Sequence, residues 1–405
     1  STCALTGSAA FFDSILGSFT MVNGPLWCYF YAMKYVDNEN PMASMRFSCT
    51  QVSPNSLVYG TEDDLRKGFA CIQTYAKPER VFVENNCSVS LVGDDVQGIA
   101  DQMDLPWPVY AMDSGGMKGS FEAGYSVASL RIEKEMKTKE KIPASVNVLG
   151  LSTVHMKGRE DAEEIRRLLS LCGIRVISMP GGGSNWEDLM DAPSASLNIV
   201  VRDELGLSLA KQMEQDFGTP YMSCGLPYGT DGTMAWLSEI IEKLGAGELT
   251  RASHEAAKLK EFLLRKGNNL ESLWGPLWFD AVLISAPPSE ALGIAETIRS
   301  EWIDTARLVI HAQCVTEKTT PAADAIRVVM KNEKEIAKDY EDWQGGLVLS
   351  SSHETHLLRR MGRSFTGFHI ALPSHDEVHF SDLPQCGLRG AGYLYEQLWN
   401  AKLRK

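Results

Sequence analysis

Residues 82–98 read FVENNCSVSLVGDDVQG. An apolar run, Val81–Phe82–Val83, ends in two asparagines, and Cys87 follows at the lip. Beyond it Val89, Val92, Val96, Ile99 and Met103 recur at three- and four-residue intervals, the spacing of one helical face. The stretch reads as strand, thiol, helix. That is the unit of an open parallel sheet, whose ligands bind beyond the carboxyl ends of its strands. A cysteine in that place is either a small hydrophobe filling space or a thiolate favoured by the positive end of a helix. One instance does not separate the two.

The pattern recurs upstream. In SFTMVNGPLWCYFYAMKY (18–35) a short apolar run and an Asn-Gly-Pro turn precede Cys28, which heads a second helical stretch. At the start of the chain Cys3 precedes ALTGSAAFFDSILG. There Ser8 is expected to cap a helix carrying Phe11, Phe12 and Ile15. Each cysteine alone fits the core habit of free thiols. Three of them, each just before an amphipathic segment, favour a metal site.

The 405 residues exceed one ordinary domain, and 44% hydrophobic residues supply full cores. A net charge of −13 argues against nucleic acid or an anionic membrane surface as partner, since both want clustered Lys and Arg. The basic run Arg131–Lys141 alternates with glutamates and reads as a solvated helix or linker. No apolar stretch approaches the ~20 residues a membrane span needs. The N-terminal apolar segment contains Asp13 and lacks a basic flank, unlike a signal peptide. The nine cysteines are scattered and never form Cys-x-x-Cys, which disfavours a disulfide framework or a zinc ribbon. A reducing, cytoplasmic compartment is expected, and soft ligands point toward iron–sulfur chemistry.

Short apolar runs alternate with helical patterns throughout, which predicts α/β architecture with parallel sheets. Three Rossmann-like, doubly wound domains are expected. The first, residues 1–143, carries strands at Phe19–Val22 and Arg80–Val83 and the three cysteines. The second, 144–266, opens with Ser145–Leu151, the helix Asp161–Leu171 and Gly173–Ser178. It continues through Ser196–Val201 and the helix Leu207–Phe217, and ends in a helical bridge, Thr230–Lys266, broken at Gly245–Ala246–Gly247. The third, 267–405, has strands at Trp278–Ser285, Ala306–His311, Gly346–Ser350 and Gly367–Ala371 and a closing helix Tyr393–Lys402. The cluster Gly181–Gly182–Gly183 lacks GxGxxG spacing, and no Walker-type motif exists. Any ATP must therefore be held by another protein.

The order Cys3, Cys28 (in NGPLWC) and Cys87, the last followed by SLVGDD, resembles component 1 of nitrogenase and the nitrogenase-like reductases. The resemblance extends through RFSCTQVSPNSLVYG (46–60), EDDLRKGF (62–69), GSFEAG (119–124), EDLMDAPSASLNIVV (187–201) and FGTPYM (217–222), with a weaker match from Gly367 to Leu398. RFSC and MDAPSA make it closer to the β-type (K) than to the α-type (D) subunit. It implies that Cys3, Cys28 and Cys87 ligate half of an interfacial iron–sulfur P-cluster, 8Fe–7S, or alternatively a 4Fe–4S cluster. Ser114, in YAMDSGG, falls where β-type subunits carry a serine that ligates the oxidised cluster. It implies further an α2β2 complex with a homologous α-type catalytic subunit holding a metallocofactor, and an ATP-hydrolysing homodimeric iron protein. The α-type cofactor-anchoring cysteine has no counterpart here, since Val201–Arg202 occupy its place.

The chain begins almost at its first ligand, without the long extension of nitrogenase β subunits. Because the full triad and Ser114 remain while that extension does not, reductive C–S cleavage of a small methylthio-alkane is the leading expectation. Dinitrogen reduction is the second, and a tetrapyrrole-type reductase or cofactor-assembly scaffold the third. A non-catalytic Rossmann-like binding protein is the rival from another class. Cys49, Cys71, Cys172, Cys224, Cys314 and Cys386 are expected in the core. His353, His356, His369, His375 and His379 are expected as polar loop and capping residues, and Glu62–Asp63–Asp64 as the first turn of a helix.

Overall fold

The computed structural model describes residues 2–40, 42–314, 326–328 and 333–404. Its strands form three all-parallel sheets. The first contains β1 (Ser18–Asn23), β2 (Phe47–Cys49), β3 (Arg80–Asn85) and β4 (Val109–Asp113), in the order β2-β1-β3-β4. The second contains β5 (Ile142–Leu149), β6 (Arg175–Ser178), β7 (Ala195–Val200) and β8 (Tyr221–Ser223), in the order β6-β5-β7-β8. The third contains β9 (Trp278–Ala286), β10 (Asp304–Ala312), β11 (Ile326–Val328), β12 (Leu347–Ser350) and β13 (Thr366–His369), in the order β11-β10-β9-β12-β13.

Each sheet is wound outward from its middle in both directions, as expected for three doubly wound α/β units. The winding reverses between β1 and β3, between β5 and β7, and between β9 and β12. At such a switch point the loops leaving adjacent strands diverge and open a crevice. The central strands are buried along their whole length in β1 and β3, because crossover helices cover both faces.

Several local expectations are corrected. The helical face from Val89 to Met103 is split into Cys87–Val92 and Val96–Asp101. Gly93 turns left-handed, at φ +78°. Asp94 leaves the helix to accept hydrogen bonds from the Thr61 amide (2.5 Å) and hydroxyl (2.7 Å), and Asp95 caps the second piece through Gly98 N–H at 2.9 Å. Two acids with better partners than solvent outweigh the apolar periodicity. Ser8 is not a cap: Cys3 is the N-cap of the helix Ala4–Asp13, and the Ser8 hydroxyl donates back to the Ala4 and Leu5 carbonyls. The second bridge helix runs from Thr250 to Trp274, past Lys266. The glycine cluster is a packing device, since a Cβ on Gly181 would stand 1.9 Å from the Tyr125 hydroxyl and 2.2 Å from the Leu151 carbonyl. Residues 353–356 lie in the helix Ser352–Arg360, opened by a capping box between Ser351 and Glu354.

The first two sheets share a core. Phe11, Phe12, Phe82 and Tyr125 pack with Leu149, Val200 and Met213, and Phe12 stacks on Phe82 with centroids 4.1 Å apart. The helices Ala4–Asp13 and Phe121–Glu133 cross at two glycines. A Cβ on Gly7 would lie 1.9 Å from Phe121 O, and one on Gly124 would lie 1.8 Å from Ala4 O. Backbone faces backbone there, so neither side has a flexible atom to yield. Gly124→Ala is expected to destabilise the protein by about 3 kcal/mol, the upper end for overpacking. Calorimetry reads it as a lower Tm.

Candidate metal centre

The three cysteines converge at the switch point of the first sheet. β1 ends at Asn23, and Gly24–Pro25 leads into the helix Leu26–Glu39, with Cys28 in its first turn. β3, the neighbour of β1, ends at Asn85 and leads to Asn86 and Cys87. The two strands run parallel with Asn23 beside Asn85, so their loops emerge at one edge.

A row of amides fixes that edge. The Asn23 side chain donates to Asn85 Oδ1 at 3.0 Å and accepts from the Thr50 hydroxyl at 2.9 Å. Asn85 donates in turn to Asp113 at 3.0 Å. The strand ends are thereby tied across the sheet by a chain of side-chain hydrogen bonds that runs from buried Asn23 and Asn85 out to exposed Asp113.

Asn86 joins two of the thiols. Its Oδ1 caps the Cys87 helix by accepting from Val89 N–H at 3.0 Å, and its Nδ2 donates to Cys28 Sγ at 3.6 Å. The side chain fits only because residue 24 is glycine, where a Cβ would come within 2.8 Å of Asn86 Cγ. The sequence reading does not single out Asn86. Its signal is the paired asparagine at the end of a strand.

The loop after β4 brings in the third thiol. Gly115 packs on the Cys87 backbone, where a Cβ would lie 2.5 Å from Cys87 N. Gly116 follows, and a Cβ there would stand 3.6 Å from Cys87 Sγ and 4.0 Å from Cys3 Sγ. The two sulfurs are therefore no further apart than the sum of those distances. Cys3 is held to this loop by an antiparallel bridge to Ser120 and by the Ala4 N–H to Gly119 O bond of 3.0 Å. Ser114 opens the loop with its amide on Asn85 O at 3.1 Å. Its hydroxyl is buried and has no hydrogen-bond partner among the described residues.

The electrostatics correct one expectation. Burial pushes the Cys28 thiol up, Asn86 pulls it partly back, and the nearby Cys3 and Cys87 push it up further. A helix start does not lower it here. Mutual repulsion among three thiolates is relieved by a cation among them, and metal ligation deprotonates thiols outright. Among the described residues no three His, Cys, Asp or Glu side chains stand close enough to hold a single ion.

The surroundings are apolar and open. Trp27, Phe30 and Tyr31 on the Cys28 helix contact one another, at centroid distances of 6.1, 6.2 and 5.8 Å. Trp27 is 66% and Tyr31 64% exposed, and Leu91 and Met117, beside Cys87 and Gly116, are exposed too. Patches of this kind mark binding surfaces.

The other cysteines divide. Cys172 and Cys386 are buried, and Cys49, Cys224 and Cys314 are partly buried. Cys71 is exposed, against expectation, on the outer side of the helix Glu62–Tyr75. His353 and His356 are exposed. His369 is buried at the end of β13, with Nδ1 2.7 Å from the Ser374 hydroxyl and Nε2 3.3 Å from Asp376. Arg202 is fully buried and pairs with Glu290 at 2.6 Å, with a further bond of 3.2 Å to Gly150 O.

Three all-parallel α/β units with thiols at the first switch point define the class as an open-sheet α/β protein with a thiol-lined crevice. The chain belongs to the nitrogenase component 1 type oxidoreductase family, whose model matches residues 3–402. It is 27% identical over 278 residues to the nitrogenase iron-molybdenum cofactor biosynthesis protein NifE of Clostridium pasteurianum, covering 67% of this chain and 58% of that protein. It is 23% identical to the B subunit of the light-independent protochlorophyllide reductase of Chloroherpeton thalassium, covering 96% of this chain and 75% of that one. It is 26% identical to the nitrogenase molybdenum-iron protein alpha chain of Methanosarcina barkeri, covering 62% of this chain and 49% of that one. In fold it matches nitrogenase Cp1 at pH 6.5 with a TM-score of 0.79, over 100% of this chain and 92% of that chain, at 17% identity. No helix among the described residues is long and apolar enough to cross a membrane.

Proposed function

We propose that this chain is the β-type, electron-relaying subunit of an ATP-dependent nitrogenase-like reductase. Cys3, Cys28 and Cys87 would hold an iron–sulfur cluster at the contact with a homologous α-type catalytic subunit. The observation that carries this reading is the convergence of the three thiols at one switch point, from three separate loops. The donor set fits the group. It is all sulfur and partly open to solvent, with the Cys87 and Cys3 sulfurs both close to Gly116. The Ser114 hydroxyl, without a hydrogen-bond partner among the described residues, adds one hard donor beside it.

An iron–sulfur cluster bound there supplies one-electron transfer. The chain itself supplies placement. Asn86 fixes the Cys28 sulfur, the 114–120 loop fixes Cys3 against Cys87, and Gly116 leaves room between them. A P-cluster-like 8Fe–7S body shared with the partner needs further sulfurs from across the exposed face. A 4Fe–4S cluster needs one. By the resemblance Val201–Arg202 take the place of the α-type cofactor-anchoring cysteine, and Arg202 is committed to Glu290, which supports assigning the catalytic metallocofactor to the partner.

The apolar rim is the docking face in this reading. Trp27→Glu combined with Tyr31→Glu is expected to weaken α-subunit binding by roughly thirty-fold or more, as loss of central aromatic anchors does. Sedimentation of the co-expressed subunits measures it.

Reductive C–S cleavage of a small methylthio-alkane is the substrate assignment to test first. A tetrapyrrole substrate is the second reading, favoured by the 96% coverage of the chain by a protochlorophyllide reductase relative. The purified complex is incubated anaerobically with its iron protein, ATP and dithionite, and each candidate is offered in turn. ATP-dependent release of methanethiol and alkane supports the first reading. Reduced tetrapyrrole or ammonia as the only product reassigns the substrate. No ATP-dependent product, in a complex without iron, favours the binding-protein alternative.

A further inference from the structure

Directly below the thiol edge lies a buried acid with no ionic partner among the described residues. Glu84 is one residue before the end of β3, 0% exposed, between Val22 of β1 and Met112 of β4. Its side chain points to the same face as Phe82, toward the helix that Cys3 caps. Ser8 of that helix approaches the carboxyl, but its one proton is turned to the Ala4 and Leu5 carbonyls. Neither Glu84 oxygen has a hydrogen-bond partner among the described residues.

The charged groups on the elements around it are engaged elsewhere. Asp13 at the far end of the helix pairs with Arg46, Arg80 at the start of β3 pairs with Glu79, and Asp113 at the end of β4 accepts from Asn85 and Ser90. Tyr110 of β4 lies against Trp186 and Arg131. The other titratable groups at this edge are the three thiols and Cys49, whose thiol donates to Gly24 O at 3.2 Å and is pushed up by burial. The Ser8 hydroxyl offers an ionised Glu84 only a small compensation, which burial outweighs, whereas the neutral form can itself donate to the Ser8 oxygen. Burial pushes the carboxyl up to about 8.

We propose that Glu84 is a redox-coupled proton acceptor, taking up a proton when the thiol-held centre gains an electron and releasing it on oxidation. This rests on the cluster reading above. The electron comes from a low-potential iron–sulfur donor, the proton from solvent, and only the carboxyl O–H is made or broken. Glu84 and Cys87 are three residues apart, hence within about 11 Å along the chain. At that separation a unit charge shifts proton affinity by roughly tenfold at an effective dielectric of about 20. Reduction adds negative charge and so raises the carboxyl pKa. Below both values Glu84 is protonated in either redox state, and the potential is independent of pH. Between them the potential falls as pH rises.

The test is a redox titration of the anaerobic holo-complex at pH values from about 8 upward. The wild type is expected to show a midpoint falling by about 59 mV in all for a one-electron couple, the equivalent of that tenfold change. Glu84→Gln, which keeps the shape of the neutral acid, is expected to be flat. A flat wild type, or the same slope in both proteins, overturns the assignment. Should the variant not fold, the reduced-minus-oxidised infrared spectrum of the wild type must gain a protonated-carboxyl band, and its absence is equally decisive. Iron-free protein overturns the cluster reading and this inference together; iron-replete protein with a flat profile overturns only Glu84.

Discussion

Cys87→Ala is expected to abolish retention of the iron held by this chain's thiols in the co-purified complex while leaving the chain folded. Cys87 belongs to both halves of the site, because Asn86 ties it to Cys28 and Gly116 places it against Cys3. Its sulfur is only partly buried and fills no core position. The stability cost is therefore expected to be small, within about 1 kcal/mol, as for substitutions outside packed cores. The loss of metal is expected to be nearly complete, since no other donor in this loop can take its place. Gly93→Ala, at the left-handed turn six residues on, is a useful control. It perturbs the same segment without touching a sulfur and should leave the iron content unchanged. Iron analysis after anaerobic gel filtration, with circular dichroism on the same samples, separates the two effects.

Arg202→Leu is expected to be the most destabilising single change away from the thiols. The guanidinium is fully buried beside Glu290 and Asp161. Removing one partner of such a pair strands the other charge, at about 3–5 kcal/mol. The pH dependence carries the diagnosis. Burial already raises Asp161 to about 6 and Glu204 to about 7. Without the cation the acids nearby rise further. A carboxyl raised in the folded state binds more protons folded than unfolded, so stability falls as pH rises through that window. The deficit of the variant should thus be largest above pH about 7 and should shrink toward pH about 4, near the unfolded carboxylate range. Arg202→Leu with Glu290→Leu should recover part of the loss, because an apolar pair often replaces a buried ion pair without penalty. Denaturant titrations at the two pH values measure all three proteins.

The alternation of apolar runs and helical faces is enough to place the central strands and the three doubly wound units. Those strands are buried on both sides, and their composition says so. The edge strands Phe47–Cys49 and Tyr221–Ser223 are three residues each, too short to leave a periodic trace. The break at Gly93–Asp94–Asp95 depends on Thr61, 33 residues upstream, and no local pattern contains it. The site is legible as three separate strand-to-helix junctions. In the sequence only a resemblance joins them; in space the order β2-β1-β3-β4 does, by setting β1 beside β3. Asn86 and Glu84 are hidden for a related reason. Their roles come from which strands are neighbours, and a buried acid inside an apolar run reads in sequence as the mere end of a strand.

The most direct test is iron and acid-labile sulfide analysis with EPR, on the anaerobically purified complex of this chain with its α-type partner. The comparison is the Cys3→Ala, Cys28→Ala, Cys87→Ala triple variant carried through the same purification. Brown wild-type protein is expected, whose extra iron and sulfide, and a reducible EPR signal, vanish in the triple variant while the subunits still fold. Equal iron and sulfide in both proteins, or a wild type free of both, would contradict the cluster reading.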